Sequence, residues 1–223
     1  MNIFGQILTL VGKDLRIEGR TRATLGLVVV LGVLIVSVLA LGFSGHPAEA
    51  KVGTPAILWV AYLFAGVLCF EKTMAVERQD GALAGLLLAP IDRGVIYVAK
   101  LLSNLILMFA VAAVITPVGV LFFAFDLSAA LGGFIAIIAI SMVGFAAIGT
   151  LFAALVSSTR LAGGLLALVI FPVVLPLVIT STQMITAMFD GRPTDAMGMA
   201  ILVAFDAIFL AASWIVFELV LEP

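Results

Sequence analysis

Charged residues are scarce in this chain: its 223 residues include 11 lysines and arginines and 13 aspartates and glutamates, or 11% in all. A soluble domain of ordinary composition carries about 25%. Hydrophobic residues make up 64% of the sequence, and the mean hydropathy is +1.34. This composition excludes an ordinary soluble domain and indicates a polytopic helical membrane protein.

Groups for catalysis and metal binding are equally scarce, because the chain has one cysteine and one histidine. The single Cys69 excludes an internal disulfide, and we interpret it as an apolar packing residue. One histidine and one cysteine cannot form a metal cluster or a catalytic triad of the usual kind. His46 is a candidate axial haem ligand, although a lone histidine in a loop is more often simply solvated.

A nucleotide-binding motif is also missing. The sequence contains no Walker-type GxxxxGK[ST] pattern, since its single Gly-Lys pair, Gly12-Lys13, is followed by Asp14. We therefore expect no enzyme activity in this chain and no metal or cofactor bound by it.

Long uncharged runs predict six membrane spans, because about 20 apolar helical residues cross the hydrocarbon core. Ala48-Glu49-Ala50 resembles a signal-peptidase site, but the apolar run before it is longer than the 7–15 residues of an ordinary signal peptide. We interpret that run as an uncleaved first span. The predicted spans are about 23–43, 55–72, 93–124, 129–156, 161–186 and 197–217.

Prolines and one aspartate mark helix ends and irregularities. We expect Pro55 in the first turn of the second span and Asp92 as the N-cap of the third. Pro117 predicts a kink in the third span. Pro172 and Pro176 predict that the fifth span is kinked or broken.

Basic residues are distributed unequally between the two sides of the membrane. The spans place nine on one side and two on the other, which predicts cytoplasmic N and C termini. The nine are Lys13, Arg16, Arg20, Arg22, Lys72, Arg78, Arg93, Lys100 and Arg160, and the two are Lys51 and Arg192.

Residues 1–22 predict an amphipathic helix in the membrane interface, with Lys13, Arg16 and Arg20 opposite an apolar arc. Asp14 and Glu18 project into that arc. One explanation is that the helix leaves the lipid there. Another is that this face meets protein and the two acids find basic partners. A helix that only feeds the first span is an equally good interpretation.

The longest polar interruption between apolar runs is the segment from Glu71 to Lys100. Within it, residues 82–89 form a short apolar stretch between Gly81 and Pro90. Leucines exposed at a cytoplasmic surface need a partner, so the stretch predicts a helix that docks into a groove of another protein. A helix lying flat on the bilayer is the alternative.

Asp206 is an acid deep in the sixth span, which marks a candidate functional site. The simpler interpretation is a neutral carboxyl hydrogen-bonded to a polar residue such as Asn104 or Gln183. Small residues at 146, 150 and 154 favour close helix packing.

Three stretches of the sequence form a distinctive set. They are Lys13-Asp14-Leu15-Arg16, then Phe70-Glu71 through Glu77-Arg78-Gln79-Asp80-Gly81-Ala82-Leu83 to Leu86-Leu87-Leu88-Ala89-Pro90 and Ala99-Lys100, and finally Arg160 through Gly163-Gly164-Leu165-Leu166 and Pro172 to Leu175-Pro176-Leu177. In these stretches the chain resembles the CcmB family, the membrane subunit of the cytochrome c maturation ABC transporter. The similarity covers essentially the whole chain in matching order and spacing, and the Gln-Asp-Gly-x-Leu-x-x-Leu-x-Leu-x-Pro core is its most distinctive part.

The resemblance implies an all-α ABC-2-type exporter permease, a single transmembrane domain over residues 1–223 in the bacterial inner membrane. It implies that residues 71–96 form a cytoplasmic coupling segment and that the N-terminal helix also grips an ATPase. The implied partners are a CcmA-type ATPase that binds ATP and magnesium, CcmC- and CcmD-type membrane subunits and a CcmE-type haem chaperone, with two copies of this chain per complex. The implied ATPase contacts are Glu77, Arg78, Asp80, Gly81, Leu83, Leu86, Leu87 and Pro90.

The identity of the cargo stays open at this point. A simple haem conduit needs charge partners for the propionates, and we expect no histidine, arginine or lysine in the span interiors. A mechanical role, in which ATP hydrolysis releases haem-loaded chaperone, is therefore favoured. The alternatives are an ABC-2 permease for a lipid, polysaccharide or drug, and a non-transporting assembly scaffold.

Overall fold

The computed structural model describes residues 2–21, 23–78, 91–124, 127, 130–157, 164–192 and 195–220. All the regular structure in these ranges is helical. The helices are α1 (Ile3–Thr21), α2 (Ala23–Gly42), α3 (Pro47–Arg78), α4 (Arg93–Phe123), α5 (Leu131–Ser157), α6 (Leu165–Phe189) and α7 (Ala196–Val220).

Six of the helices, α2 to α7, are long and apolar enough to cross a membrane, which confirms the predicted number of spans. The largest difference is in α3, which begins at Pro47 and contains Pro55 in its interior. The prediction that Pro55 starts this helix was wrong. Proline suits a first helical turn, and Pro47 already occupies that position. Thr54 Oγ1 donates to the carbonyl of Ala50 beside it, 2.9 Å away.

The predicted cap of α4 is confirmed: Asp92 Oδ1 accepts the N–H of Gly94 at 2.7 Å. Pro117 lies inside this helix, which continues to Phe123. In α6, Pro172 and Pro176 also lie within one continuous helix. The fifth span is therefore not broken, since packing on neighbouring helices holds a proline-containing span together, and the alternative of a kink stays a prediction.

The core lies along α3 and α5, where over half of the spanning window is buried, against 17% in α2. The two helices interlock through glycines that face aromatic rings. A Cβ on Gly66 would lie 2.4 Å from the Phe145 ring, and one on Gly149 would lie 2.1 Å from the Phe70 ring. The two rings meet edge to face, with centroids 5.1 Å apart. Small residues at such contacts let membrane helices pack closely, which is how they gain packing energy.

Polar side chains inside the bundle link α3 to its neighbours. Thr73 donates to Asn104 Oδ1 at 2.8 Å, and Asn104 Nδ2 donates to Thr150 at 2.9 Å. Trp59 Nε1 donates to Ser181 at 3.0 Å. Thr150 thus has a polar role within the predicted small-residue stripe, whose members Ala146 and Ala154 are buried as expected.

Asp206 lies on α7 and is 8% exposed, which confirms its predicted burial. Its Oδ1 has no hydrogen-bond partner within the described part of the chain and faces Gly144, where a Cβ would lie 2.2 Å away. Asn104 bonds to Thr73 and Thr150 instead of to Asp206. Gln183 lines a cavity near the end of α6. The predicted amide partner for Asp206 was therefore wrong.

Candidate functional site

The acid-bearing face of α1 meets protein. Helix α1 packs mainly against α4, with Val11 and Glu18 buried, while Ile3, Phe4 and Leu8 remain exposed on its other side. Of the explanations that the sequence allows for the two acids, the structure supports contact with other parts of the chain. The exposed apolar residues still match a helix in the membrane interface.

Four charged residues meet where α1 lies against the end of α3 and the early turns of α4. We call Lys13, Asp14, Glu77 and Lys100 the lysine–carboxylate cluster. Lys100 Nζ lies 2.6 Å from Glu77 Oε1 and 2.9 Å from Asp14 Oδ2. Lys13 Nζ contacts Glu77 Oε1 and lies 3.3 Å from Asp14 Oδ1. The cluster therefore joins three helices through alternating charges.

The cluster is largely buried and electrically balanced, with two positive and two negative side chains. Glu77 is 2% exposed and Lys100 is 5% exposed. Removing such charges from water is costly unless each has partners, which the alternating arrangement provides. Lys13 lies at the edge. Burial alone lowers its pKa, but the hydrogen bond to Glu77 and the charges of Asp14 and Glu77 outweigh burial and raise it above the usual value.

Glu18 has a separate role at the start of the first span. Its Oε1 accepts the N–H of Leu25 at 2.6 Å. Leu25 lies in the first turn of α2, where backbone N–H groups have no partner within the helix. A carboxylate there also complements the positive end of the helix dipole. Glu18 therefore caps α2 from the preceding helix.

A small cavity of about 30 Å³ adjoins the cluster, with Asp14, Glu18, Lys72, Thr73 and Glu77 among its lining residues. It has room for about two water molecules, at 10–15 Å³ for each. That volume is too small for an organic substrate. The arrangement of charges is thus suited to holding helices in position and not to binding a cargo.

The structure separates the predicted interface residues into distinct roles. Lys13 and Asp14 belong to the cluster, Glu18 is a cap, and Arg16 is exposed. Glu77 was predicted to contact an ATPase directly, but its carboxylate is buried and engaged by two lysines of its own chain. This pairing gives Glu77 a positioning role within the chain, and its direct contact with an ATPase stays a prediction.

The remaining predicted contacts lie outside the residues that the structure describes. The side chain of Arg78 is among them, although its backbone ends α3. Their roles stay predictions. The others are Asp80, Gly81, Leu83, Leu86, Leu87 and Pro90.

Lys100 is the member of the lysine–carboxylate cluster that sequence reasoning did not identify. It was counted as a marker of orientation, and the span interiors were expected to contain no lysine. The structure places it inside α4, seven residues beyond Arg93, or about 10 Å along the helix. A lysine within a candidate span is usually paired with an acid. That expectation was the signal that could have linked Lys100 to Glu77.

The other singled-out residues take no part in the cluster. His46 is exposed in the connection between α2 and α3. Cys69 is buried in the core of α3, as predicted for a packing residue. Asp206 lies on a helix that packs mainly on α5.

Comparison with known proteins identifies the family. The family model described as CcmB protein matches residues 5–219. The chain is also 22% identical over 198 residues to "Heme exporter protein B" of Pseudomonas aeruginosa, covering 87% of this chain and 85% of that protein. Because the family model spans nearly the whole sequence, the chain belongs to the CcmB family.

Proposed function

We propose that this chain is the membrane subunit of an ABC-type haem export system for cytochrome c maturation. Its membership of the CcmB family and its similarity to a protein named heme exporter protein B support this assignment. In this proposal a separate CcmA-type ATPase supplies the energy. CcmC- and CcmD-type subunits and a CcmE-type chaperone handle haem, and two copies of this chain lie over two ATPases, with cytoplasmic termini.

The observation that carries the mechanism is the lysine–carboxylate cluster. Glu77 lies one residue before the end of α3, and Lys100 lies in the early turns of α4. Residues 79–90 lie between these two helices in the sequence. The cluster therefore joins the helix end before this segment to the helix start after it. Force applied to this segment by an ATPase would then move α3, α4 and α1 as one unit.

We favour a mechanical role over a haem conduit. In the portion described, Lys100 lies inside a span but is already paired with Asp14 and Glu77. A buried lysine with two carboxylate partners is not available to bind haem propionates. ATP hydrolysis is instead proposed to shift the spans so that haem-loaded chaperone leaves the neighbouring haem-handling subunit.

The test is reconstitution of this chain with its CcmA-, CcmC-, CcmD- and CcmE-type partners in vesicles. The proposal expects ATP-dependent release of loaded chaperone and no ATP-dependent accumulation of haem across the bilayer. Transport of haem without chaperone release would contradict the mechanical role. Failure of this chain to assemble with a CcmA-type ATPase would contradict the assignment itself.

A permease for another substrate is the second candidate, and one observation favours it. A cavity of about 670 Å³ opens between α6 and α7 and is lined partly by threonines and a glutamine. ATP-dependent movement of a lipid or drug by this chain and an ATPase alone would support that candidate. Dependence of the ATPase on the chaperone-loading subunits would count against it.

A further inference from the structure

The large cavity lies at the end of the bundle opposite the lysine–carboxylate cluster. The spans alternate in direction, so the end of α6 and the start of α7 are on the far side from the ends of α3 and α5. Helices α6 and α7 contact each other much less than α7 contacts α5. The cavity of about 670 Å³ occupies the space between them.

The depth of the cavity restricts what can enter it. Its lining on α6 runs from Thr180 to Ala187, which is about 10 Å along the helix axis. Helix α6 ends at Phe189, so this depth lies between the membrane surface and the upper hydrocarbon. A ligand that fills it must be polar at one end and compatible with lipid at the other.

A positive group stands at the mouth of the cavity. Arg192 lines it and donates from Nη2 to Asp190 at 2.8 Å, which leaves the other guanidinium N–H groups available. The backbone of this connection is held in place, because the N–H of Arg192 donates to the carbonyl of Ala187 at 3.0 Å. The Arg192 side chain is 63% exposed, so its guanidinium is accessible to a phosphate at the mouth.

A negative group stands across from it at the start of α7. Asp195 lines the cavity, and its two carboxylate oxygens accept the N–H groups of Met197 and Gly198 at 3.0 and 3.2 Å. Each oxygen retains a further lone pair, so Asp195 can accept from an ammonium group as well as cap the helix. The lining at the mouth therefore includes one residue of each sign, with Asp190 paired to Arg192 beside it.

Below the mouth the lining is uncharged but able to form hydrogen bonds. Thr180, Thr182, Gln183 and Thr186 contribute from α6. The Oγ1 of Thr182 is buried and has no hydrogen-bond partner within the described ranges. Ile201 lines the α7 side and is 41% exposed, which provides an apolar flank. This order of charge, hydroxyl groups and hydrocarbon follows the order of groups in a phospholipid.

We propose that the cavity between α6 and α7 binds a zwitterionic phospholipid with a primary ammonium headgroup. The phosphate contacts Arg192, the ammonium contacts Asp195, and the ester oxygens accept from the threonine hydroxyls and Gln183. The acyl chains leave along Ile201. This is a binding site beyond the proposed function, because it requires neither haem nor an ATPase.

The test uses the purified full chain in detergent, with phosphatidylethanolamine, phosphatidylglycerol and phosphatidylcholine of identical acyl chains as probes. Retained lipid is counted by native mass spectrometry. We expect phosphatidylethanolamine to be retained best, and Arg192→Gln to weaken its retention about tenfold, since a charge-assisted hydrogen bond is lost. Arg20→Gln, at an exposed arginine on the opposite side of the membrane, is the matched control and should retain lipid as the parent does.

Two further variants distinguish recognition of the lipid headgroup from the mere availability of space in the cavity. Asp195→Asn keeps a helix cap, since asparagine caps as well as aspartate, but removes the charge. It should abolish the preference for phosphatidylethanolamine over phosphatidylcholine. Ala187→Trp should place an indole ring inside the cavity and reduce retention, whereas Leu175→Trp, on the exposed face of α6, should not.

Three results would overturn the proposal. The first is equal retention of all three lipids by the parent chain. The second is full competition by glycerophosphoethanolamine, which has the headgroup but no acyl chains and would indicate a site for a soluble ligand. The third is an Ala187→Trp variant that retains lipid but loses a partner subunit on co-purification, which would identify the cavity as a protein interface.

Discussion

Lys100 Nζ lies 2.6 Å from Glu77 Oε1, and this buried contact joins α4 to α3 on either side of residues 79–90. Asp14 on α1 contacts the same lysine at 2.9 Å. One ammonium group therefore holds two carboxylates from two other helices.

Lys100→Met should destabilise the protein strongly. It leaves Glu77 and Asp14 buried together with one half-exposed lysine, and breaking a buried ion pair costs about 3–5 kcal/mol. We expect the melting temperature in detergent to fall by roughly 6–20 °C. Lys72→Met, the same change at an exposed lysine near the end of α3, should change it little.

A second variant distinguishes lost pairing from lost packing. Lys100→Met combined with Glu77→Leu removes both charges and leaves the Lys13–Asp14 pair. It should recover at least half of the lost melting temperature, because no uncompensated carboxylate remains at position 77. If the double variant were less stable than Lys100→Met, the uncompensated charge of Glu77 would not be the cause of the destabilisation.

Glu18→Ala should loosen the first turn of α2. The N–H of Leu25 loses its acceptor at 2.6 Å, and loss of a cap costs about 1 kcal/mol. Hydrogen exchange at Leu25 should accelerate about fivefold. Glu18→Gln keeps an acceptor oxygen and should show a smaller effect. Equal exchange in all three proteins would refute the capping role.

Gly144→Ala should destabilise the contact between α5 and α7. A Cβ there would lie 2.2 Å from Asp206 Oδ1 and 2.9 Å from Leu177 Cδ1. Overpacking of this kind costs about 1–3 kcal/mol. Gly26→Ala on α2, where a Cβ meets nothing within 4 Å, is the matched control and should be neutral or stabilising.

The same site allows a double-mutant cycle. Asp206→Ala opens space opposite position 144, so Gly144→Ala should cost at least 1 kcal/mol less in that background, as for other residues in contact. Additive effects on stability would show that the two positions are not coupled. Asp206→Asn should retain most of the stability, because the shape of the side chain is kept.

Leu83→Asp tests the predicted coupling segment. If residues 82–89 dock into an ATPase groove, a buried carboxylate there should reduce co-purification of the ATPase about tenfold or more. Leu83→Met keeps an apolar side chain of similar volume and should preserve the complex. An assembled and active Leu83→Asp complex would rule out this leucine as a contact.

The number of spans followed from the sequence, because the length of an apolar run is set by membrane thickness and needs no tertiary information. The cap at Asp92 was equally local. The start of α3 was predicted wrongly. Pro47 and Pro55 are both suited to a first helical turn, and the helix begins at Pro47. Where two such local signals compete, tertiary packing decides at which of them the helix begins.

The sequence by itself therefore determined an all-helical membrane protein with six spans, because composition and run length act within one segment. Only the tertiary structure decided which charges meet. Glu77 and Lys100 are 23 residues apart and Asp14 is 86 residues from Lys100, so no local pattern pairs them. Burial between three helices made the pairing necessary, and it places the Glu77 carboxylate where it holds α3 to α4.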